Sequence, residues 1–132
     1  VVALAALEVG VDTVCAAGMA ALRAKSVALT TLFTALVETR CAGLGLARLS
    51  PAEAAARGSQ VCFTHAQGYA VMQALIARGV VGDFRAPNVL RFGFAPLYNT
   101  HTEVWDAVET LREVLATRAW DRPEFHARAQ VT

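Results

Sequence analysis

From Met19 the apolar positions recur at alternating spacings of three and four. Met19, Leu22, Ser26, Leu29, Phe33 and Leu36 share one stripe, while Arg23, Thr30, Thr34 and Glu38 fall away from it. The pattern predicts a long amphipathic helix ending near Arg40, with Gly18 starting or kinking it and Gly43 and Gly45 closing the region. Before it, residues 1 to 9 read as a helix, and Gly10 followed by Asp12 and Thr13 supplies a break and a new cap. After it, "LGLARL" is a short strand candidate.

In "SPAE", residues 50 to 53, Ser50 is placed as an N-cap, Pro51 at the first helical position and Glu53 to bond back, which predicts a short helix to Arg57. Gly58 stops it. "SQVCFTH" then reads as a strand, and "GYAVMQALIARG" as a helix with Tyr69, Met72, Leu75 and Ile76 on one face, Arg78 in its last turn and Gly79 beyond it.

"VVGDFRAPNVLRFGFAP" predicts a hairpin. With Ala86, Pro87 and Asn88 as a three-residue loop, and Asn88 taking the left-handed conformation, Arg85 pairs with Val89, Phe84 with Leu90 and Asp83 with Arg91. That register sends Phe84, Leu90, Phe92 and Phe94 to one face and Asp83, Arg85, Val89, Arg91 and Gly93 to the other. A two-residue loop would mix the faces. Pro96 ends the strand, Thr100 and Glu103 form a second capping box, and Val104, Val108, Leu111 and Leu115 line a last helix running to about Thr117. The arginine-rich tail from Asp121 reads as loosely attached.

The order of elements implies an α/β fold of the α+β type: a two-layer sandwich of a small, mostly antiparallel sheet with helices on one face. Arg91 falls on the other face.

Composition narrows the function classes. The 132 residues and 55% hydrophobic content suit one packed domain, and a formal net charge of +1 provides no field to draw the chain to nucleic acid or an acidic membrane. "VVALAALEVGV" is interrupted by Glu8 and is shorter than the roughly 20 residues a membrane span needs, so it reads as a buried helix. Cys15, Cys41 and Cys62 are odd in number and far apart, without metal-ligand spacing, which fits a reducing, cytoplasmic setting and no metal. Val1 opens no signal peptide, and the chain begins mid-element, as a piece of a larger protein would.

Candidate chemistry is sparse. No glycine-rich nucleotide loop, HExxH or GxSxG is present, and His65, His101 and His126 are scattered. His65 occupies a cap-like position between strand and helix, His101 lies in a first helical turn, and Cys62 reads as a small core residue. The sole lysine, Lys25, lies in an amphipathic helix where a solvated or snorkelling side chain is expected. Arg91 differs: on the non-core face of a strand, beside Gly93, it presents a planar fork with room for something to approach. Two readings stay open on spacing alone, a cross-strand pair with Asp83 and a bidentate clamp on a carboxylate.

"RGSQVCFTH", "GYAVMQALIARGVVGDFRAPNVLRFGFAPLYNT" and "VWDAVETLREVL" together resemble the C-terminal portion of the kynureninases, pyridoxal-phosphate enzymes of the aspartate aminotransferase fold type. "GMAALRAKSVALTTLF" likewise resembles the helix joining their large and small domains, so the resemblance covers roughly Val1 to Leu115. It implies that residues 1–40 are connector helices from a missing large domain and that residues 41–132 are the small C-terminal domain. It further implies that Arg91 binds the α-carboxylate of L-kynurenine or 3-hydroxykynurenine, which the parent hydrolyses to anthranilate or 3-hydroxyanthranilate and L-alanine in tryptophan catabolism. Asp83 and Arg85 then hold the hairpin, and Tyr98 and Asn99 match the family's "PLYN" turn without an assigned contact.

The Schiff-base lysine, phosphate-binding loop and pyridinium-binding aspartate of pyridoxal 5'-phosphate enzymes have no match in this chain. The resemblance therefore implies a chain inactive alone, with no catalytic or cofactor-binding residue of its own, from a cytoplasmic homodimer. Two other readings remain: the small domain of another enzyme of this fold type, such as a cysteine desulfurase-like protein, or a stand-alone ligand-binding or interaction module pairing through the Met19 to Leu36 stripe.

Overall fold

Residues 2 to 40 are rich in alanine and leucine, the strongest helix formers. In the computed structural model, which describes residues 2 to 127, they form helices α1 (Val2–Ala17) and α2 (Met19–Arg40). The break expected at Gly10 is absent. A single glycine costs a helix only about 1 kcal/mol, and the Thr13 hydroxyl donates back to the Val9 carbonyl at 2.8 Å instead of capping a new helix. The chain turns at Gly18, whose φ of +78° lies in the left-handed region that side chains avoid.

The buried stripe of α2 comprises Ser26, Leu29, Thr30, Phe33, Thr34 and Val37. It is rotated from the expected one: Thr30 and Thr34 point inward, Met19 is exposed, and Leu22 and Leu36 are half-buried. Both threonines can enter the core because their hydroxyls donate to the carbonyls four residues back, at 2.9 Å to Ser26 and 2.8 Å to Thr30. By length and composition α2 could cross a membrane, but its apolar side packs against the sheet and the α4 helix described below.

Four strands, β1 (Ala47–Arg48), β2 (Gln60–Thr64), β3 (Asp83–Arg85) and β4 (Val89–Gly93), form one antiparallel sheet in the order β1-β2-β4-β3. Helices α3 (Gly68–Ile76), α4 (His101–Ala116) and α5 (Pro123–His126) complete the helical layer. The fold is thus a two-layer α+β sandwich. Val61, Phe63, Leu90 and Phe92 from the sheet meet Leu29, Phe33, Val71, Leu75, Val108 and Leu111 from the helices in a single core.

The hairpin has the expected register, Asp83 opposite Arg91, Phe84 opposite Leu90 and Arg85 opposite Val89. Its loop differs in detail: the Ala86–Pro87 bond is cis, and Asn88 is not among the residues at positive φ. The Asn88 carbonyl instead accepts from the His65 N–H at 3.1 Å, tying the loop to the end of β2. Thr100 and Glu103 make both bonds of a capping box, which starts α4 where expected.

Further expectations fail: α1, read from its apolar run as a buried helix, buries none of its residues. No helix follows Ser50, only a single 3-10 turn at Ala54–Ala56, because Ser50 is drawn to the sheet: its hydroxyl accepts the Cys62 N–H at 2.8 Å. Nor is the segment from Asp121 to Ala127 loose. Buried Trp120 and half-buried Phe125 join the core, and the Tyr69 hydroxyl donates to the Ala127 carbonyl at 3.1 Å. The rest of that tail, with Val1, lies outside the described residues.

Candidate functional site

Strand alternation divides the sheet into a face covered by helices and a face free of them. On the open face the register aligns Cys62 of β2, Arg91 of β4 and Asp83 of β3 in one cross-strand row, with Gln60, Thr64, Val89, Gly93 and Arg85 around them. Beside Arg91 there is room: a Cβ built on Gly93 would meet nothing within 4 Å.

Arg91 Nη2 donates to Asp83 Oδ2, so the cross-strand pair permitted by the register is formed. The Arg91 side chain is 29% exposed, and its Nε is buried without a hydrogen bond. Asp83 Oδ2 also lies 3.3 Å from Arg85 Nε. Arg91 first, and Arg85 after it, hold the Asp83 carboxyl below the ordinary range. Arg91, Asp83 and the neighbouring Arg85 together carry two guanidinium groups and one carboxylate, a local charge of +1. Of the five N–H donors on a guanidinium, Asp83 engages one on Arg91. Nε is buried, so a second carboxylate would be taken by the N–H groups that Asp83 leaves on Nη1 and Nη2.

The other residues singled out in the sequence lie elsewhere. His65 is buried at the end of β2, where Nδ1 accepts the Gln67 N–H at 3.0 Å, and burial lowers its pKa. Its side chain thus serves the backbone just before α3, although α3 itself has no side-chain cap. His101 is exposed in the first turn of α4, and His126 lies on α5, 3.6 Å from Asp121. Lys25 stands half-buried on α2, where its charge reaches Glu103 at the start of α4. Asn99 closes the turn after β4, its Oδ1 accepting the Ala95 N–H at 2.8 Å, while Tyr98 is exposed.

Cys62 is not the core residue expected. It is half-buried on the open face directly opposite Arg91, because Val61 and Phe63 take the two inward positions of β2. The strict inward placement of Val61 and Phe63 is the signal that locates it, since a strand cannot bury three consecutive side chains on one face. Cys41 is the buried thiol, pushed up to about 11 by desolvation. Among the described residues no group of three or more His, Cys, Asp or Glu is gathered as for a metal ion. A recess of about 380 Å³ between the loop after α3, β4 and α4 has Arg78, Phe92 and Glu103 in its walls, but not Arg91, Asp83 or Cys62.

Comparison with known proteins gives the family. The family model described as "Kynureninase C-terminal domain" matches residues 22–111. Kynureninases from Burkholderia mallei (strain SAVP1) and Burkholderia pseudomallei (strain K96243) are each 55% identical over all 132 residues, and that of Pseudomonas fluorescens is 53% identical over the same span. The match covers 100% of this chain and 32% of each relative, so the chain spans about a third of their length. The chain belongs to the kynureninase family and corresponds to its C-terminal part.

Proposed function

We propose that this chain is the substrate-carboxylate-binding portion of a kynureninase that hydrolyses L-kynurenine, or its 3-hydroxy form, to anthranilate or 3-hydroxyanthranilate and L-alanine. The observation that carries the reading is Arg91, a partly exposed arginine held on the open sheet face with donors to spare, in a chain 55% identical to kynureninases along its whole length. A charge-assisted bond between a guanidinium and a carboxylate contributes about 1.5 to 3 kcal/mol. Two such bonds to one fork also fix the direction of the Cα–carboxylate axis, which lowers a barrier by positioning. Arg91 binds and orients; it moves no proton.

The family is generally dependent on pyridoxal phosphate, which supplies an electron sink for chemistry at Cα. Among the described residues none is placed to form the Schiff base on the open sheet face. Their single lysine, Lys25, belongs to the helical layer, and Arg91 lies on the opposite face of the sheet. The cofactor and its lysine fall to the portion of the protein outside this chain, and the chain alone is inactive. The same reading makes residues 1–40 the connector and 41–132 the small domain of a homodimeric parent; α1, which buries no residue, supports a connector role. Three free cysteines support a reducing, cytoplasmic compartment.

The test is to purify the full-length protein that contains this chain, supply pyridoxal phosphate and follow anthranilate fluorescence and L-alanine release from L-kynurenine. Stoichiometric appearance of both products is the expected result. A cofactor-loaded protein that leaves both L-kynurenine and 3-hydroxykynurenine intact, or that releases sulfide from cysteine instead, would overturn the reading.

A further inference from the structure

We propose that Asp83 is a positioning residue for substrate binding: it holds the Arg91 guanidinium in the orientation that receives a carboxylate. The inference rests on the reading of Arg91 as the carboxylate clamp. An arginine side chain is long and rich in rotamers, and a clamp is effective only if its fork is already aimed. Among the described residues Asp83 is the side chain that does so: Arg91 Nη2 donates to its Oδ2, while Arg91 Nε is buried and makes no hydrogen bond.

Asp83 is itself well placed. It opens β3, directly opposite Arg91, and the preceding Gly82 lets the strand approach closely, since a Cβ there would lie 2.7 Å from Met72 Cε and 2.9 Å from the Arg91 carbonyl oxygen. Arg85 Nε, 3.3 Å from Oδ2, offsets the carboxylate's negative charge, so an incoming anion meets a cluster of net charge +1 formed by Arg91, Asp83 and Arg85. The depressed pKa of Asp83 keeps the carboxylate ionised throughout the neutral range.

Two effects of removing Asp83 oppose each other, and their signs differ. Deleting the carboxylate raises the local positive charge, which by attraction alone would tighten binding of an anionic substrate. Releasing Arg91 from its aim loosens it. Positioning predicts that Asp83→Ala in the full-length, cofactor-loaded protein raises the KM for L-kynurenine roughly five- to twentyfold with kcat within about twofold. The isosteric Asp83→Asn, which still accepts a hydrogen bond, gives a smaller rise and guards against misfolding of the alanine variant.

The experiment adds Arg91→Ala and the Arg91→Ala/Asp83→Ala pair to this series. With no guanidinium left to aim, the second substitution should change KM by less than about twofold. Equal effects of Asp83→Ala with and without Arg91, an unchanged or lower KM for Asp83→Ala, or a fall in kcat alone would overturn the positioning role. If Arg91→Ala leaves KM unchanged, it is the clamp reading itself that fails.

Discussion

The ring of Phe33 on α2 lies 4.9 Å, centroid to centroid, from that of Phe92 on β4, the residue next to Arg91. Phe33 is also 5.2 Å from Phe94 and 6.2 Å from Phe63, and is 1% exposed. The long helix and the strand that carries the guanidinium are thus one packed unit. Phe33→Ala should destabilise the chain by about 3 to 5 kcal/mol, read as a lower urea midpoint with an unchanged slope. A loss under about 1 kcal/mol would mean that α2 does not organise the sheet.

The helix α1 behaves differently. None of its residues is buried, and Val2, Leu4, Leu7, Val9 and Val11 are exposed. Such a surface drives association in water. The isolated chain is expected to elute at an apparent mass that rises with concentration, and Leu4→Glu with Leu7→Glu should suppress this while changing stability by less than about 0.5 kcal/mol. Unchanged association in the double variant would place the sticky surface elsewhere.

His65 makes stability depend on pH. Burial lowers its pKa, so between the folded value and the ordinary value of about 6.5 the unfolded chain binds the extra proton. Its contribution is complete above about pH 6.5 and is lost as the pH falls through the depressed value. Protonation at Nδ1 would also break the bond from the Gln67 N–H. The urea midpoint should therefore fall between about pH 7.5 and pH 5, and His65→Gln should flatten the decline. An equally steep decline in the variant would assign it to other groups.

How much of this was legible in the sequence depended on how local the signal was. The hairpin register and the Thr100–Glu103 capping box are fixed by neighbours a few residues apart, and both appear as expected. Ser50 shows the limit: its capping pattern is intact, yet its hydroxyl serves Cys62, twelve positions away, because β1 brings it to β2. Thr30 and Thr34 look polar in a periodicity count but satisfy themselves within α2. For Arg91 the sequence left open a pair with Asp83 or a carboxylate clamp. The structure forms the pair and leaves the fork with donors, so the two readings are compatible.

The central claim is that Arg91 recognises the α-carboxylate of L-kynurenine, and its most direct measurement is a ratio. In the full-length, cofactor-loaded protein, the dissociation constants of L-kynurenine and its α-carboxamide are compared in the wild type and in Arg91→Ala. The account predicts that the wild type prefers the carboxylate roughly 10- to 150-fold, from a charge-assisted bond of about 1.5 to 3 kcal/mol, and that Arg91→Ala erases the preference. A preference that survives the substitution would contradict it and assign the carboxylate to another cation.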